Sequence, residues 1–164
     1  MAKKKKQSGE AEQKPRGVRI SNRKVFHDYH IDEKVECGIE LVGTEVKSLR
    51  AGQAKIDEAY ARIENGQVFL VGANIALYPQ AAEGMQHNPK RKRKLLLHRR
   101  QIHQLQQRIQ QKGKTLVPLA MYFHRGWAKV EIGVAEGKRR YDKRESLRKK
   151  DHQRDMQRAI RRRG

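Results

Sequence analysis

Glu36 and Glu40 lie four residues apart in a stretch that alternates polar and apolar residues, so they share one strand face and could act as an acid/base pair. Such a pair needs a pocket that raises one pKa, and nothing in the flanking sequence supplies one. Carboxylates at this spacing also form the polar rim of a sheet, or accept hydrogen bonds from RNA amino and hydroxyl groups. His27 and His30 have an H-x-x-H spacing, but no cysteine pair or second histidine pair stands nearby, so they read as structural or surface histidines. Cys37 is the one cysteine, which rules out an internal disulfide. It falls on the apolar side of its stretch, where a small buried thiol is the plainer reading than a nucleophile. No Walker loop, dinucleotide fingerprint or nucleophile elbow is present. The expectation is a binding protein with no catalytic residue, metal or cofactor.

The chemistry the chain does advertise is cationic. Lys plus Arg total 39 against 18 Asp plus Glu, a net charge of +21 over 164 residues. A polyanion is the natural partner, nucleic acid before an anionic membrane surface. Aromatic residues are 5 % of the chain, too few for a wide single-strand stacking platform. Folded RNA, read by shape, phosphates and 2′-hydroxyls, fits better. No apolar run approaches the ~18 residues of a membrane span. Met1 to Lys6 is basic but is not followed by the apolar core of a secretory signal.

The charge is unevenly distributed. Residues 1–19 carry net +5, residues 138–164 net +9, and residues 20–137 only +7. The two terminal segments have few large apolar residues and cannot offset their ordering entropy alone. They read as disordered basic tails around one domain at 20–137.

That domain has a core's worth of pattern. Val35, Cys37, Ile39 and Leu41 alternate with Glu36, Gly38, Glu40 and Val42, which predicts a strand with one buried face. Thr44 to Gly52 predicts a helix of about two turns, with Thr44 as its cap and Val46 and Leu49 facing inward. Asn65-Gly66 between Tyr60–Glu64 and Gln67–Val71 predicts a tight hairpin. Residues 78–94 read as a long loop ending in Lys90-Arg91-Lys92-Arg93-Lys94. This run could be an import signal, a solvated charge run or a phosphate-binding loop, and its seat beside Leu95-Leu96-Leu97 favours the last. Ile102, Leu105 and Ile109 mark a helix from Arg99 to Gln111, stopped by Gly113. Leu116–His124 and Trp127–Ala135 read as two strands joined at Arg125-Gly126. Five or six strands with two inserted helices suggest a mainly β fold: a closed barrel resembling the oligonucleotide/oligosaccharide-binding (OB) fold.

Gly43-Thr44-Glu45-Val46-Lys47-Ser48-Leu49-Arg50-Ala51-Gly52 resembles the signature of the SsrA-binding protein family, also called small protein B. Five further blocks agree in order: Asn22-Arg23-Lys24, Gly72-Ala73-Asn74-Ile75, Arg93-Lys94-Leu95-Leu96-Leu97, Trp127-Ala128-Lys129-Val130, and Gly137-Lys138 with Asp142-Lys143-Arg144. The resemblance runs from about residue 20 to residue 145 in one register. It implies a bacterial cytoplasmic protein with an OB-type barrel and inserted helices. It implies binding to the transfer-RNA-like domain of transfer-messenger RNA, in place of the anticodon arm that this RNA lacks. The pair would rescue ribosomes stalled on messages without a stop codon, the process of trans-translation. The rival reading is a general structural RNA-binding OB protein of the translation machinery. In either case the chain is expected to act as a monomer bound to RNA, with no membrane partner.

The resemblance also names residues. Asn22, Arg23 and Lys24 open the RNA face, Asn22 as a hydrogen-bonding group or as a turn former. Tyr29 offers a stacking face or packs at the rim. Glu36 would accept from a base or a 2′-hydroxyl, since its charge repels phosphate. Lys47 and Arg50 would hold phosphates from a short helix. Lys94, Leu96 and Lys129 complete the set. Gly137, Lys138, Tyr141, Asp142, Lys143, Arg144 and Arg148 belong to a tail that becomes helical in the vacant message channel of the stalled ribosome. Tyr141 stands where a His often precedes Asp-Lys-Arg in the family, and His152 where some relatives carry Trp. At 141 a ring is kept for stacking, but a proton-transfer role is not.

Overall fold

The computed structural model describes residues 17–110 and 113–162. Residues 1–16, most of the expected N-terminal tail, lie outside the described residues. The first elements are β1 (Arg19–Ser21), which starts one residue before the expected domain boundary, and α1 (Arg23–Asp28). There follow β2 (Tyr29–Ile39), α2 (Gly43–Arg50), β3 (Ala54–Lys55), β4 (Tyr60–Glu64), β5 (Gln67–Val71) and β6 (Asn74–Ile75). The chain ends with β7 (Arg93–Leu96), α3 (Arg99–Ile109), β8 (Lys114–His124), β9 (Trp127–Gly137) and α4 (Arg140–Arg162).

Strand order is β1-β8-β4-β5-β7-β2-β9, every neighbour antiparallel, and β8 also pairs with β9. Six strands, β8-β4-β5-β7-β2-β9, therefore close a ring, while β1 is added on β8 and β3–β6 form a separate pair. Closure follows from the alternation in the sequence. Cys37 and Ile39 on β2, Val68 and Leu70 on β5, Leu95 on β7, and Val130, Ile132 and Val134 on β9 all turn inward and are buried. Each aliphatic side chain so removed from water contributes about 1.5–3 kcal/mol. Leu49 from α2 and Leu105 from α3 join the same core.

Both hairpins have the backbone their turn residues imply. Asn65 and Gly66 have φ of 49° and 70°, Arg125 and Gly126 of 50° and 83°. Two consecutive positive φ angles match the twist of the flanking strands. At Arg125, a non-glycine residue accepts this strain.

Several expectations change. The fold is strand-rich but mixed, with nine strands and four helices among the described residues, against the expected five or six and two. β2 starts six residues earlier than its alternating stretch and ends at Ile39, not Val42. The cap of α2 is Val42, not Thr44. The Glu45 carboxylate accepts the Val42 N–H at 3.0 Å, while the Thr44 hydroxyl bonds the His87 ring at 2.8 Å. The C-terminal segment, expected to become helical on the ribosome, forms α4 from Arg140 to Arg162. No glycine or proline occurs between Lys138 and Arg163. Ion pairs Glu145–Lys149, Asp151–Arg154 and Asp155–Arg158 fall at helical spacing.

Candidate nucleic-acid interface

The outer face of β2 and β9 is built by register. Glu36 stands opposite Glu131, and Gly38 opposite Lys129. On the other side of β9, Tyr122 of β8 stands opposite Lys129, and β1 brings Arg19 opposite Tyr122. The Tyr122 hydroxyl donates to Glu36 Oε2 at 2.5 Å, and Lys129 Nζ lies 3.4 Å from Glu36 Oε1. The Tyr122 hydrogen bond holds the Glu36 carboxyl below its ordinary range against the opposing pull of partial burial, and Lys129 adds to it. Burial and the same carboxylate push the Tyr122 phenol well above its usual value. Arg19 lies 4.7 Å over the Tyr122 ring and donates to Glu131 at 2.9 Å. Glu36 is thus an anionic acceptor at neutral pH, with each oxygen held by one protein donor and lone pairs left over.

Beside this row runs an open groove of about 920 Å³. Glu36, Gly38, Leu96, Phe123, Trp127 and Lys129 are among its lining residues. Leu96 reaches it because β7 alternates: Arg93 and Leu95 are buried, while Lys94 and Leu96 face outward. Gly38 keeps the floor low, since a Cβ there would sit 3.2 Å from Leu96 Cβ. An apolar slot with a carboxylate and an ammonium on its rim can take an unstacked base and read its donors.

The structure brings three of the expected contacts, Glu36, Leu96 and Lys129, into this one groove. Arg50 adjoins it, 5.3 Å from the ring of the groove residue Phe123. Lys47 is exposed on the same helix, 5.0 Å over Tyr78. Lys94 is half-buried on the outer face of β7. Arg23 and Lys24 are exposed on α1, and half-buried Tyr29 packs on a second apolar cluster of Val25, Val117, Leu119 and Ala135. These three do not line the groove.

Asn22 and the run Lys90–Lys94 make contacts within the protein. Asn22 is fully buried. Its amide donates to the carbonyls of Ile56 and Pro118 at 3.1 and 3.2 Å, and its side-chain oxygen caps α1 through the Val25 N–H at 3.1 Å. Pro118 sits where the β8 register shifts, so Asn22 ties α1 to an irregularity in the barrel wall. In the run Lys90–Lys94, three side chains have partners within the protein. Arg93 is fully buried and donates to Glu45 at 2.9 Å, to Ala73 O at 2.7 Å and to Pro89 O at 2.9 Å. Arg91 chelates the same carboxylate at 2.8 and 2.7 Å. Lys92 pairs with Glu64 and covers the Phe69 ring at 4.4 Å. Burial alone would push the Glu45 carboxyl up, but Arg91, the Val42 N–H and Arg93 together hold it below the usual range. These arginines tie α2 to β7 and the segment before it.

Trp127 was not among the expected contacts, yet it is 75 % exposed on the groove. Its position directly after the Arg125-Gly126 turn was the available signal: a large ring at a hairpin tip has little to pack against. Cys37 donates to Val130 O at 3.1 Å, and burial pushes its thiol up to about 12, so it is inert at neutral pH. His27 bonds Asp28, and no group of three or more potential metal ligands is assembled among the described residues.

Gly137 ends β9 opposite Tyr29, and Lys138 fastens the exit of the barrel to α1 through its N–H to Asp28 O and its Nζ to Phe26 O, both 2.9 Å. Arg144 and Arg148 are exposed on α4. Tyr141, Asp142 and Lys143 belong to the helix, but their side chains lie outside the described residues.

Residues 19–162 match the family model described as SmpB protein. The chain is 52 % identical over 151 residues to an SsrA-binding protein of Salinispora arenicola, covering 92 % of this chain and 94 % of that one. It is 51 % identical over 146 residues to an SsrA-binding protein of Shouchella clausii, covering 89 % and 93 %. A solved structure described as "tmRNA-SmpB: a journey to the center of the bacterial ribosome" superposes with a TM-score of 0.64 at 47 % identity, over 79 % of this chain and 94 % of that one.

Proposed function

The chain belongs to the SmpB family of SsrA-binding proteins, and from that premise we propose that it carries transfer-messenger RNA to stalled ribosomes. Its RNA face is the groove of Glu36, Leu96, Lys129 and Trp127 together with the cations of α2, and its ligand there is the transfer-RNA-like domain. The observation that carries this reading is the convergence of an oriented carboxylate, an apolar slot and exposed cations on one rigid face. Phosphate contacts position the RNA, while Glu36 selects for an amino or hydroxyl donor and against phosphate. Arg23, Lys24 and Tyr29 serve a neighbouring patch around α1.

We read the six-strand ring as an OB-type barrel, spanning 20–137 behind the basic segment 1–19. It occupies the place of an anticodon arm, as a monomer on its RNA, and works in the cytoplasm where ribosomes do. The segment 138–164 is a separate ribosome-binding unit. As a helix, Arg140–Arg162 would extend about 34 Å at 1.5 Å per residue. Its exposed arginines and lysines suit a channel walled by phosphates. Such a channel is open only when no message fills it, so the tail tests for the end of the message.

Translation of a message without a stop codon, reconstituted from purified components, tests this. Adding the protein with transfer-messenger RNA should release the stalled chain with the RNA-encoded tag, and truncation after Gly137 should abolish tagging while leaving RNA affinity nearly unchanged. Tagging without the protein, or failure of the truncated chain to bind RNA, would refute the division of labour. A general structural RNA binder would support no tagging at all.

A further inference from the structure

We infer that Tyr122 is the positioning residue of the RNA face: its hydroxyl fixes the Glu36 carboxylate in the orientation in which a nucleotide donor meets it. The inference rests on the reading of the groove as the RNA site, and goes further by assigning a role to a residue that does not line it. Tyr122 is 6 % exposed, on the outer face of the barrel, and is therefore covered by its neighbours and not by solvent. Its ring is covered by Arg19, which Glu131 holds in turn. Its hydroxyl has an acceptor in Glu36, whose carboxylate sits on an exposed strand face and is met on its other oxygen, among the described residues, by Lys129. Without the hydroxyl, Glu36 would turn freely about its side-chain torsions, or fold onto Lys129 and cancel the charge of the one groove cation beside it. A recognition group on a rotatable chain binds weakly unless something restricts it.

The charged and titratable groups around Glu36 come from four strands and one helix. They are Arg19 on β1, Lys34 and Glu40 on β2, Tyr122 and His124 on β8, Lys129 and Glu131 on β9, and His98 at the start of α3 across the groove. Tyr122→Phe keeps the ring, the Arg19 stack and the packing, and removes only the hydroxyl.

The test is a double-mutant cycle on the full chain, with binding to the transfer-RNA-like domain measured at fixed salt and pH 7 for the wild type, Tyr122→Phe, Glu36→Ala and the double variant. Tyr122→Phe should bind about tenfold more weakly, as expected for one charge-assisted hydrogen bond. In the Glu36→Ala background the same change should cost nothing, because the residue acts through Glu36. A purely structural role would instead weaken both backgrounds equally, and that result overturns the inference. So does a Tyr122→Phe variant that binds like the wild type while Glu36→Ala binds weakly. If Glu36→Ala itself binds like the wild type, the reading of the groove fails at Glu36 and the inference falls with it. A pH series gives a second readout. Glu36 is held below its ordinary pKa in the wild type, so its contribution is lost only as pH falls through that lowered value. In Tyr122→Phe the loss should begin at higher pH. Identical pH profiles would count against the inference.

Discussion

Replacing Glu45 by Gln should destabilise the barrel strongly while changing hardly any volume. The carboxylate is fully buried and takes hydrogen bonds from Arg91 at 2.8 and 2.7 Å, from Arg93 at 2.9 Å and from the Val42 N–H at 3.0 Å. A Gln amide presents an NH₂ where one oxygen stood, facing donors, and leaves the guanidinium of Arg93 buried without a counter-charge. Removing one partner of a buried ion pair costs about 3–5 kcal/mol. Arg93 keeps the carbonyls of Ala73, Pro89 and Arg91, which places the effect at about 3 kcal/mol, the lower end of that range. For a domain of this size that is a fall in Tm of roughly 10–15 °C. The sign of the pH dependence follows from the lowered pKa of Glu45. Its contribution is complete above the unfolded carboxylate value of about 4.3, and is lost as pH falls through the lower folded value. The penalty in Glu45→Gln should therefore be full at pH 7 and shrink under acid. Thermal unfolding followed by circular dichroism at pH 7 and in an acid series measures both. A Tm within about 3 °C of the wild type at pH 7 would refute the assignment of Arg91 and Arg93 to an internal anchor. A penalty that stays constant into acid would refute the role of the charge.

Trp127→Ala should weaken binding of the transfer-RNA-like domain by about 1–3 kcal/mol if a base stacks in the groove. Trp127 is the chain's one tryptophan, so its fluorescence should also change on RNA binding; an unquenched signal with unchanged affinity would remove it from the interface. Asn22→Ala should lower stability by about 2–4 kcal/mol, since it strips partners from the Ile56 and Pro118 carbonyls and the Val25 N–H, but the folded fraction should bind RNA normally. Urea unfolding and a gel shift on the same sample separate the two effects. Lys47→Ala should flatten the salt dependence of RNA affinity by about 0.7–0.9 in log–log slope for each phosphate that Lys47 neutralises, and an unchanged slope would mark Lys47 as merely solvated.

Much of this was legible in the sequence because it depends on local pattern. Alternation exposed the inward rows of β2 and β9, Asn65-Gly66 fixed its hairpin, and Ile102, Leu105 and Ile109 marked α3. What stayed hidden depends on distant partners. Arg91 and Arg93 look like any cations in a basic run. Only the fold brings Glu45, some fifty residues earlier, under them. Asn22 stands in a block that resembles the family, with a turn former as the other reading, and its type does not show that carbonyls from β8 and the segment before β4 take its amide. In the tail, ion pairs at helical spacing and the lack of glycine or proline fit the helix Arg140–Arg162, a signal that a composition count does not see. Closure of the ring through the β8–β9 pairing could be guessed, but not placed, from strands alone.

The central claim is tested most directly by equilibrium competition at one moderate salt concentration, between the transfer-RNA-like domain of transfer-messenger RNA and an unrelated RNA duplex of equal length. The account predicts that the folded domain is held at least tenfold more tightly, a margin of about 1.4 kcal/mol that uniform charge attraction cannot supply. Equal affinity for the two RNAs would mean that the groove reads nothing, and would contradict it.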